Sequence, residues 1–448
     1  GNVFNQGSLT IKNTNSVSNI TGTGKTEIIS TGNLTTSELV QNELVNNGVL
    51  TVNNLQITTS ANNSGTITNN GLTSSIKNLT NTGIINGTGN LEFSGDSTNK
   101  GTISQAVINV SGTLDNTLGS LSATDKIENT GTITTSADKI IATNGIKNDN
   151  ILILTDGSLS TQVSGNGTTN ILGAVTNNLS ISQGVNVSTT GALTVKANIG
   201  NLVNNGTVNA NANNLTGTIT NLNSLVLTGG TLSNEITGTG TTNITGTVSN
   251  NVAISQDVNV GTTGNLTVNA NIGNLTNNGS VNANTNNLTG TINNSGTLNL
   301  SGTLDKEILG NGTTSVNGTL NLSSSAKIDG TLNLNNGSIS TTDSSYTNYQ
   351  ITTINDNGNA KIDVDWTNSK ADSFNSTSGN GVLDLTINGT STENIWESKT
   401  IQITNGGVGI TLNTTTGTKE KEVLGSDELK ANSNWSDKVG AWKRTDTY

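Results

Sequence analysis

The residues best suited to acid–base chemistry are two aspartates near residue 364. Asp363 and Asp365 lie in the run KIDVDW at residues 361–366. In an extended strand they project from one face, because successive side chains alternate. Paired carboxylates facing a sugar cleft are the groups that hydrolyse glycosidic bonds. No arginine lies close to them in the sequence, so we interpret the pair as a solvated strand face and predict no catalytic residues.

A second candidate is the segment GTGKT at residues 22–26, which looks like the end of a phosphate-binding loop. The complete pattern requires a glycine five positions before Gly24, where this chain has Asn19. Other Gly-x-Gly segments follow with Asn or Thr in place of Lys25, and they begin at Gly87, Gly165, Gly238 and Gly310. The segment therefore predicts a turn, and no nucleotide cofactor is expected.

Metal-ligating residues are sparse. The chain has no histidine and no cysteine, which removes the commonest transition-metal ligands. Calcium sites gather several charged oxygens, whereas the nearest candidates, GDS at residues 95–97 and NDNG at residues 355–358, each supply one carboxylate. We interpret both segments as turns and predict no metal site and no cofactor.

Charge and hydropathy disfavour two classes of partner. The net charge is −11 and Arg444 is the only arginine, whereas phosphate binding needs clustered basic residues, so we predict no nucleic-acid partner. No apolar run approaches the length of a transmembrane helix, which predicts no membrane insertion. The chain lacks methionine and a signal peptide, so we expect an excised piece of a longer, secreted product.

Internal repeats indicate the fold class. Residues 173–219 recur at 246–292 with an offset of 73 and 36 identities in 47 positions. Such a fixed period is the signature of a solenoid. Inside it, fragments such as GNLTV at residues 264–268 alternate apolar and polar side chains and end at Asn-Gly or Asn-Asn-Gly, which predicts short strands between turns.

Side-chain size distinguishes among the β architectures. Residues 1–340 contain two aromatics, Phe4 and Phe93, which is too few for the core of a sandwich, barrel or propeller. A parallel β-helix has a narrow interior that Val, Ile and Leu can fill, and corner Asn residues can adopt left-handed angles or bond from turn to turn. We predict a parallel β-helix with 18–24 residues per turn; with roughly 18 residues per turn, the long period equals four turns.

Aromatic content also divides the chain. Eight of ten aromatics follow residue 341, and the last turn of a solenoid needs a cap. We predict a parallel β-helix rod over residues 1–340, terminal turns or a β-rich cap over 341–414, and a charged C-terminal tail or linker over 415–448.

The repeats resemble a known class of protein. The run ANIGNLTNNGSV at residues 270–281, followed by NNSGTL at 293–298, looks like bacterial secreted β-helix adhesins of the filamentous-haemagglutinin class and autotransporter passengers. The similarity covers most of residues 1–340. It implies a right-handed β-helix, a Gram-negative type V-like export route, an extracellular or outer-surface location, and adhesion.

These observations favour an adhesin passenger that acts as a stiff rod with distributed polar contacts. The expected partners are host or matrix glycans or proteins, or copies of the chain itself. Two alternatives remain open: a self-assembling sheath or surface-layer subunit, and a polysaccharide-degrading β-helix enzyme.

Overall fold

The computed structural model describes residues 1–335, 337–341, 345–355, 358–365, 370–375, 382–388, 398–402, 409–414, 420–423 and 428–432. Within these ranges the chain forms β-strands and three short 3₁₀ turns, with no α-helix. It divides into two compact units. Unit 1 comprises Gly1–Val226 and Gly238–Gly240, and unit 2 comprises Leu227–Thr237 and Thr241–Tyr448.

Unit 1 contains 3₁₀ turns at Ala137–Lys139 and Ala212–Asn214. The strands that begin in unit 1 are β1 (Asn2–Phe4), β2 (Ser8–Ile11), β3 (Thr14–Thr21), β4 (Lys25–Ile28), β5 (Asn33–Asn46), β6 (Val49–Asn63), β7 (Thr66–Asn69), β8 (Ser74–Lys77), β9 (Leu79–Asn81), β10 (Ile84–Asn86), β11 (Asn90–Ser94), β12 (Asp96–Asn99), β13 (Thr102–Val110), β14 (Thr113–Asn116), β15 (Ser120–Asn129), β16 (Thr132–Thr135), β17 (Ile140–Ala142), β18 (Ile146–Asn148), β19 (Ile151–Leu154), β20 (Gly157–Leu159), β21 (Val163–Ser164), β22 (Thr168–Ile171), β23 (Ala174–Asn177), β24 (Gly184–Val187), β25 (Ala192–Val195), β26 (Leu202–Asn204), β27 (Thr207–Ala210), β28 (Ile219–Asn221) and β29 (Ser224–Leu227).

Unit 2 contains one 3₁₀ turn, at Thr285–Asn287. Its strands in the described ranges are β30 (Gly230–Leu232), β31 (Ile236–Thr237), β32 (Thr241–Ile244), β33 (Thr247–Asn250), β34 (Asp257–Val260), β35 (Asn265–Val268), β36 (Leu275–Asn277), β37 (Ser280–Asn284), β38 (Ile292–Asn294), β39 (Thr297–Leu304), β40 (Glu307–Leu309), β41 (Thr313–Leu322), β42 (Lys327–Asn333), β43 (Ser338–Ser340), β44 (Asn348–Asn355), β45 (Gly358–Asp365), β46 (Lys370–Ala371), β47 (Ser373–Asn375), β48 (Val382–Asn388), β49 (Ser398–Gln402), β50 (Gly409–Thr414), β51 (Glu420–Val423) and β52 (Glu428–Asn432).

Parallel strand pairs connect each turn of the chain to the next. In unit 1, β7, β10, β13 and β15 stack on one face, and β9, β12, β14 and β16 stack on another. In unit 2, β33, β35, β37 and β39 stack in the same way. Since parallel partners belong to different turns, the chain circles an axis and returns about 4.8 Å further along it. Each unit is a parallel β-solenoid, which confirms the predicted fold class; the right hand stays a prediction.

The length of a turn varies along the chain. Hydrogen-bonded residues on neighbouring turns are 17 positions apart for Asn46 and Asn63, 18 for Asn63 and Asn81, and 16 for Asn259 and Asn243, whereas the register partners Thr331 and Thr353 are 22 apart. The predicted range of 18–24 residues per turn therefore holds for some turns and is too long for those of 16 and 17 residues. Short turns suit an interior lined by medium-sized aliphatic side chains.

The long sequence period is not a whole number of turns. In unit 2, Ile236 begins a line of isolated bridges that runs through Ile254. The corresponding isoleucine of the next repeat, Ile308, stands two residues before Gly310 as Ile236 stands two before Gly238. It pairs instead with Ile292, which pairs with Leu275, so equivalent residues lie on different faces. The expectation of four turns per period is wrong, because the four turns from Thr242 to Ile308 take 66 residues, fewer than the period of 73.

The core consists of inward columns of aliphatic side chains. Leu50, Ile67, Ile85, Ile103 and Leu121 pair in register from turn to turn, and each is completely buried. The residues beside them in each strand point outward, which gives the alternation seen in the sequence. Burying side chains of this kind contributes roughly 1.5–3 kcal/mol each.

Glycines allow the backbone of successive turns to touch at one corner. A Cβ atom on Gly65 would lie 2.1 Å from the carbonyl oxygen of Gly48, and one on Gly83 would lie 2.1 Å from that of Gly65. These separations are far below van der Waals contact, so only glycine fits. The Asn-x-Gly segments therefore mark a corner of closest approach.

The described parts of residues 341–414 continue the stack of unit 2. β43 pairs in parallel with β45, β45 with β48, and β48 with β50. β51 then pairs antiparallel with β50, which occupies a sheet edge that would otherwise be open. Tyr349 in β44 is completely buried. In the predicted tail, the described residues form β51 and β52, and the rest of that segment lies outside the described residues.

Candidate functional surface

The phosphate-loop-like segment has no free backbone donors at its centre. The N–H of Gly24 donates to the carbonyl oxygen of Asn5 (3.0 Å), and the N–H of Lys25 donates to that of Gly7 (2.8 Å). Thr26 is fully buried. A phosphate cradle needs unpaired N–H groups that point at the ligand. The segment is a turn between β3 and β4, as expected. Its backbone N–H groups donate hydrogen bonds to the preceding turn of the solenoid.

The aspartate pair is not the solvated strand face that the sequence predicts. Asp363 is buried, with 6% of its surface exposed, so that interpretation is wrong for this residue. The side chain of Asp365 lies outside the described residues. Asp363 instead neighbours a second carboxyl group, Asp372, which the sequence analysis did not single out.

Asp372 is the most buried carboxylate in the described part of the chain, with no exposed surface. It lies between β46 and β47. Its Oδ2 accepts hydrogen bonds from the hydroxyl of Thr341 (2.6 Å) and the N–H of Asp363 (2.9 Å), and its Oδ1 accepts one from the N–H of Thr347 (3.0 Å). Burial raises the pKa of Asp372 above its usual value, and these hydrogen bonds oppose the rise.

Of the two calcium candidates, only the first lies wholly within the described residues. There the N–H of Asp96 donates a hydrogen bond to the Oδ1 of Asn78 (2.9 Å). Asp356 and Asn357 lie outside the described residues. Among the residues that the structure describes, no three acidic, histidine or cysteine side chains form a group that could hold a metal ion.

Buried asparagines form a ladder inside unit 1. Each amide nitrogen donates to the amide oxygen of the next turn, over distances of 2.6–2.7 Å, in the series Asn46, Asn63, Asn81, Asn99 and Asn116. All five are at most 2% exposed. An amide has both donor and acceptor groups, so identical amides stacked one strand spacing apart satisfy each other.

The ends of the ladder differ from its middle. At one end, the Nδ2 of Asn116 donates to the hydroxyl of Thr135 (2.9 Å). At the other end, Asn46 pairs in register with Ile28, and its Oδ1 is buried without a hydrogen-bond partner. An apolar neighbour cannot donate, so this ladder begins with one unpaired acceptor.

An uncharged surface of register-paired polar side chains lies on unit 2. We call it the neutral face: two outward columns that run across β33, β35, β37, β39, β41, β42 and β44. All its members are Thr, Ser or Asn, and adjacent members are paired in register. They are Thr247, Asn265, Ser280, Thr297, Thr313, Thr331 and Thr353 in one column, and Ser249, Thr267, Asn282, Asn299, Ser315, Asn333 and Asn355 in the other.

The neutral face presents hydrogen-bonding groups at regular intervals. Neighbouring turns are about 4.8 Å apart, and the two columns are about 7 Å apart along the strands. The amide of Asn299 donates to that of Asn282 (2.7 Å), so part of the second column is already ordered. Most members are partly or fully exposed, and Ser315 is the buried exception.

A cluster of paired charges lies on unit 1, and unit 2 has the ion pairs Asp305–Lys306 and Lys327–Asp329 outside the two columns of the neutral face. Lys126 lies 2.6 Å from Glu128, and Lys147 lies 3.0 Å from Asp149. Glu128 and Lys147 are register neighbours on adjacent turns. Exposed ion pairs of this kind contribute about 1 kcal/mol or less, and their opposite charges are already paired, so this stripe is a weaker candidate for a binding surface.

Comparison with known proteins does not assign the chain to a family. No protein-family model matches it, and no curated protein is similar to it. Among the described residues, none of the helices is long and apolar enough to cross a membrane.

Proposed function

We propose that this protein is an adhesin passenger, a stiff β-solenoid scaffold that binds extracellular partners through the neutral face of unit 2. The observation that carries this proposal is the face itself: fourteen register-paired Thr, Ser and Asn positions without a charged residue. Host or matrix glycans and proteins offer the hydroxyl and amide groups that such a surface can bond. The outer-surface location and the type V-like export route belong to the same proposal.

The proposed binding is distributed over many weak contacts. A single hydrogen bond contributes only about 0.5–1.5 kcal/mol net, so each residue of the neutral face contributes little to the free energy of binding. Several turns that contact one extended partner act together, and their effects accumulate as in multivalent binding. A charged side chain placed on the neutral face would have to lose its bound water when a partner binds. This cost would weaken binding along the whole face.

Thr297→Glu tests the proposal, with Thr113→Glu as a matched control. Both threonines are exposed, follow a glycine and begin a strand, and the N–H of each donates to a glycine carbonyl oxygen at 2.8 Å. Only Thr297 belongs to the neutral face. We expect the unmodified protein to bind a panel of immobilised glycans and matrix proteins, Thr297→Glu to bind several-fold more weakly, and Thr113→Glu to bind normally. Absence of binding across the panel, or equal losses in both variants, would contradict the proposal.

Self-assembly into a sheath or surface layer is the second candidate. The neutral face has no like charges to repel another copy of a chain whose net charge is −11. The neutral face is seven strands long and about four residues wide, so it covers roughly 400 Å². That is about half of the area that each partner buries in a standard interface. This small area favours a slender partner over a second copy of the chain. Filaments that form with rising concentration and disappear in Thr297→Glu would favour self-assembly.

The polysaccharide-degrading alternative finds less support. Asp363 is buried, and the neighbouring carboxylate of Asp372 is occupied by three hydrogen bonds. Glycoside hydrolysis requires two carboxyl groups on opposite sides of an accessible sugar. We therefore propose a non-enzymatic role.

A further inference from the structure

Asp372 connects three segments of unit 2 that lie in or next to three different strands. Thr341 directly follows β43, Thr347 directly precedes β44, and Asp363 lies in β45. Each donates a hydrogen bond to the Asp372 carboxylate, and the N–H of Asp372 donates in return to the carbonyl oxygen of Asp363 (2.9 Å). One side chain thereby holds together the backbones of successive turns. We call this arrangement the clasp.

We propose that the clasp is a pH-sensitive device: the protonation state of Asp372 sets how tightly the turns formed by β43, β44 and β45 are held together. The proposal does not depend on the adhesive function. It follows from the position of a fully buried carboxylate at the junction of three strands and from the nearby buried carboxyl group of Asp363.

The clasp can accommodate a proton without losing its connection to Thr341. The hydroxyl of Thr341 has two acceptors within reach, the Oδ2 of Asp372 (2.6 Å) and the carbonyl oxygen of Lys361 (3.2 Å). If Oδ2 carries a proton, it can donate to the Thr341 hydroxyl, whose own hydrogen then turns to Lys361. The chain of hydrogen bonds reverses direction and remains complete.

In the clasp, the ionised form of Asp372 is destabilised relative to the protonated form. Burial raises the pKa of Asp372, the negative charge of Asp363 raises it further, and the three hydrogen bonds lower it. The other titratable side chains described between β43 and β47 are Lys361, Lys370 and Tyr346, which are exposed, and Tyr349, whose buried hydroxyl donates to the carbonyl oxygen of Leu322 (3.3 Å).

The sign of the pH dependence follows from this raised pKa. A carboxyl group with a higher pKa in the folded state than in the unfolded state binds its proton more tightly when folded. Its contribution to stability is fully present below the ordinary aspartate pKa and is lost as the pH rises through the raised value. The clasped turns should therefore tighten on acidification.

Hydrogen exchange of the full chain tests this inference. Deuterium uptake, corrected for the intrinsic pH dependence of exchange, is followed in peptides that cover residues 337–375 from about pH 7.5 down to about pH 4. We expect opening of these turns to become several-fold rarer at the acid end. Asp372→Asn should remove this dependence. Asp329→Asn, which changes a half-exposed aspartate of the same unit paired with Lys327 at 3.0 Å, should keep it.

A second measurement keeps the test decisive if Asp372→Asn does not fold. Asp363→Asn removes the neighbouring charge but retains the backbone donor, so it should move the midpoint of the pH dependence to lower pH. Carbon-13 carboxyl titration of the unmodified protein should show one aspartate titrating above the ordinary value. Uptake that is independent of pH, greater opening in acid, or the absence of such a carboxyl resonance would overturn the inference.

Discussion

One inward column of unit 1 contains two stretches that fill the interior with different kinds of side chain. From Asn46 to Asn116 the column is a ladder of amides, whereas its continuation through Leu154, Ile171 and Val187 is aliphatic. Both stretches are buried. The two kinds of side chain also meet in this column, where Asn204 pairs in register with Val187 and its Oδ1 accepts a hydrogen bond from the N–H of Gly206 (3.0 Å). A boundary is therefore costly only where no backbone N–H reaches the end amide, as at Asn46.

The largest expected effect is that of breaking the ladder in its middle. Asn81→Leu leaves the Nδ2 of Asn63 without its amide acceptor and the Oδ1 of Asn99 without its amide donor. The Nδ2 of Asn63 then keeps only backbone acceptors at 3.2–3.3 Å, and the Oδ1 of Asn99 keeps only the N–H of Gly101 at 3.2 Å. Each of these buried groups loses its shortest hydrogen bond, at a cost of up to about 1–3 kcal/mol. We therefore expect a loss of roughly 2–5 kcal/mol in the free energy of unfolding of unit 1. Chemical denaturation measures it.

The end of the ladder supplies the control. Asn46→Ile moves the boundary by one turn, since Ile28 already lies beside it. The unpaired acceptor passes from Asn46 to Asn63, and the number of orphaned groups stays the same. We expect a change of less than about 1 kcal/mol. Equal losses in Asn46→Ile and Asn81→Leu would refute the ladder as a cooperative structure.

The reciprocal substitution tests the aliphatic stretch. Leu154→Asn places an amide between Thr135 and Ile171, where Ile171 offers no side-chain partner. The lost apolar burial and the unpaired amide together should cost roughly 2–4 kcal/mol, as measured by the same denaturation experiment. A neutral effect would show that any buried position of the column accepts an amide.

The smallest expected effect concerns a natural difference between the repeats. Thr285 in unit 2 has a buried hydroxyl without a hydrogen-bond partner, and the corresponding residue in unit 1 is Ala212. Thr285→Ala should be neutral or stabilising by about 1 kcal/mol, because it removes an unsatisfied group. Ala212→Thr should destabilise by a similar amount. Thermal melting of both variants checks the prediction, and a clear loss in Thr285→Ala would contradict it.

The sequence predicts the class of fold because its dominant signals are local. Alternation and Asn-Gly turns define strands such as β35, and the scarcity of aromatics excludes wide cores. The inward position of particular asparagines is harder to predict. In Asn46-Asn47-Gly48, identical residues are adjacent, and a register shift of one residue exchanges their faces. Only the paired turns decide that Asn46 is the buried one.

The sites that the sequence missed depend on contacts between turns. Asp372 receives its hydroxyl donor from Thr341, 31 residues earlier, and no local pattern links the two. The neutral face likewise arises from register across seven strands whose spacing in the sequence varies. The Gly-x-Gly turn at residues 22–24 was predictable because its chemistry is local, whereas the burial of Asp363 required knowledge of its neighbours.

Cysteine crosslinking tests the parallel, in-register stacking most directly, because the chain has no native cysteine. Thr68 and Asn86 point outward from adjacent turns and are paired in register, with a hydrogen bond of 2.9 Å between their side chains. Their Cα atoms should lie about 4.8 Å apart, within the range that a disulfide can bridge. Mild oxidation of the double variant Thr68→Cys and Asn86→Cys should give an intramolecular disulfide, whereas Thr68→Cys with Ser104→Cys, two turns apart, should not. Failure of the first pair to crosslink, or equal crosslinking of both, would contradict the stacked solenoid.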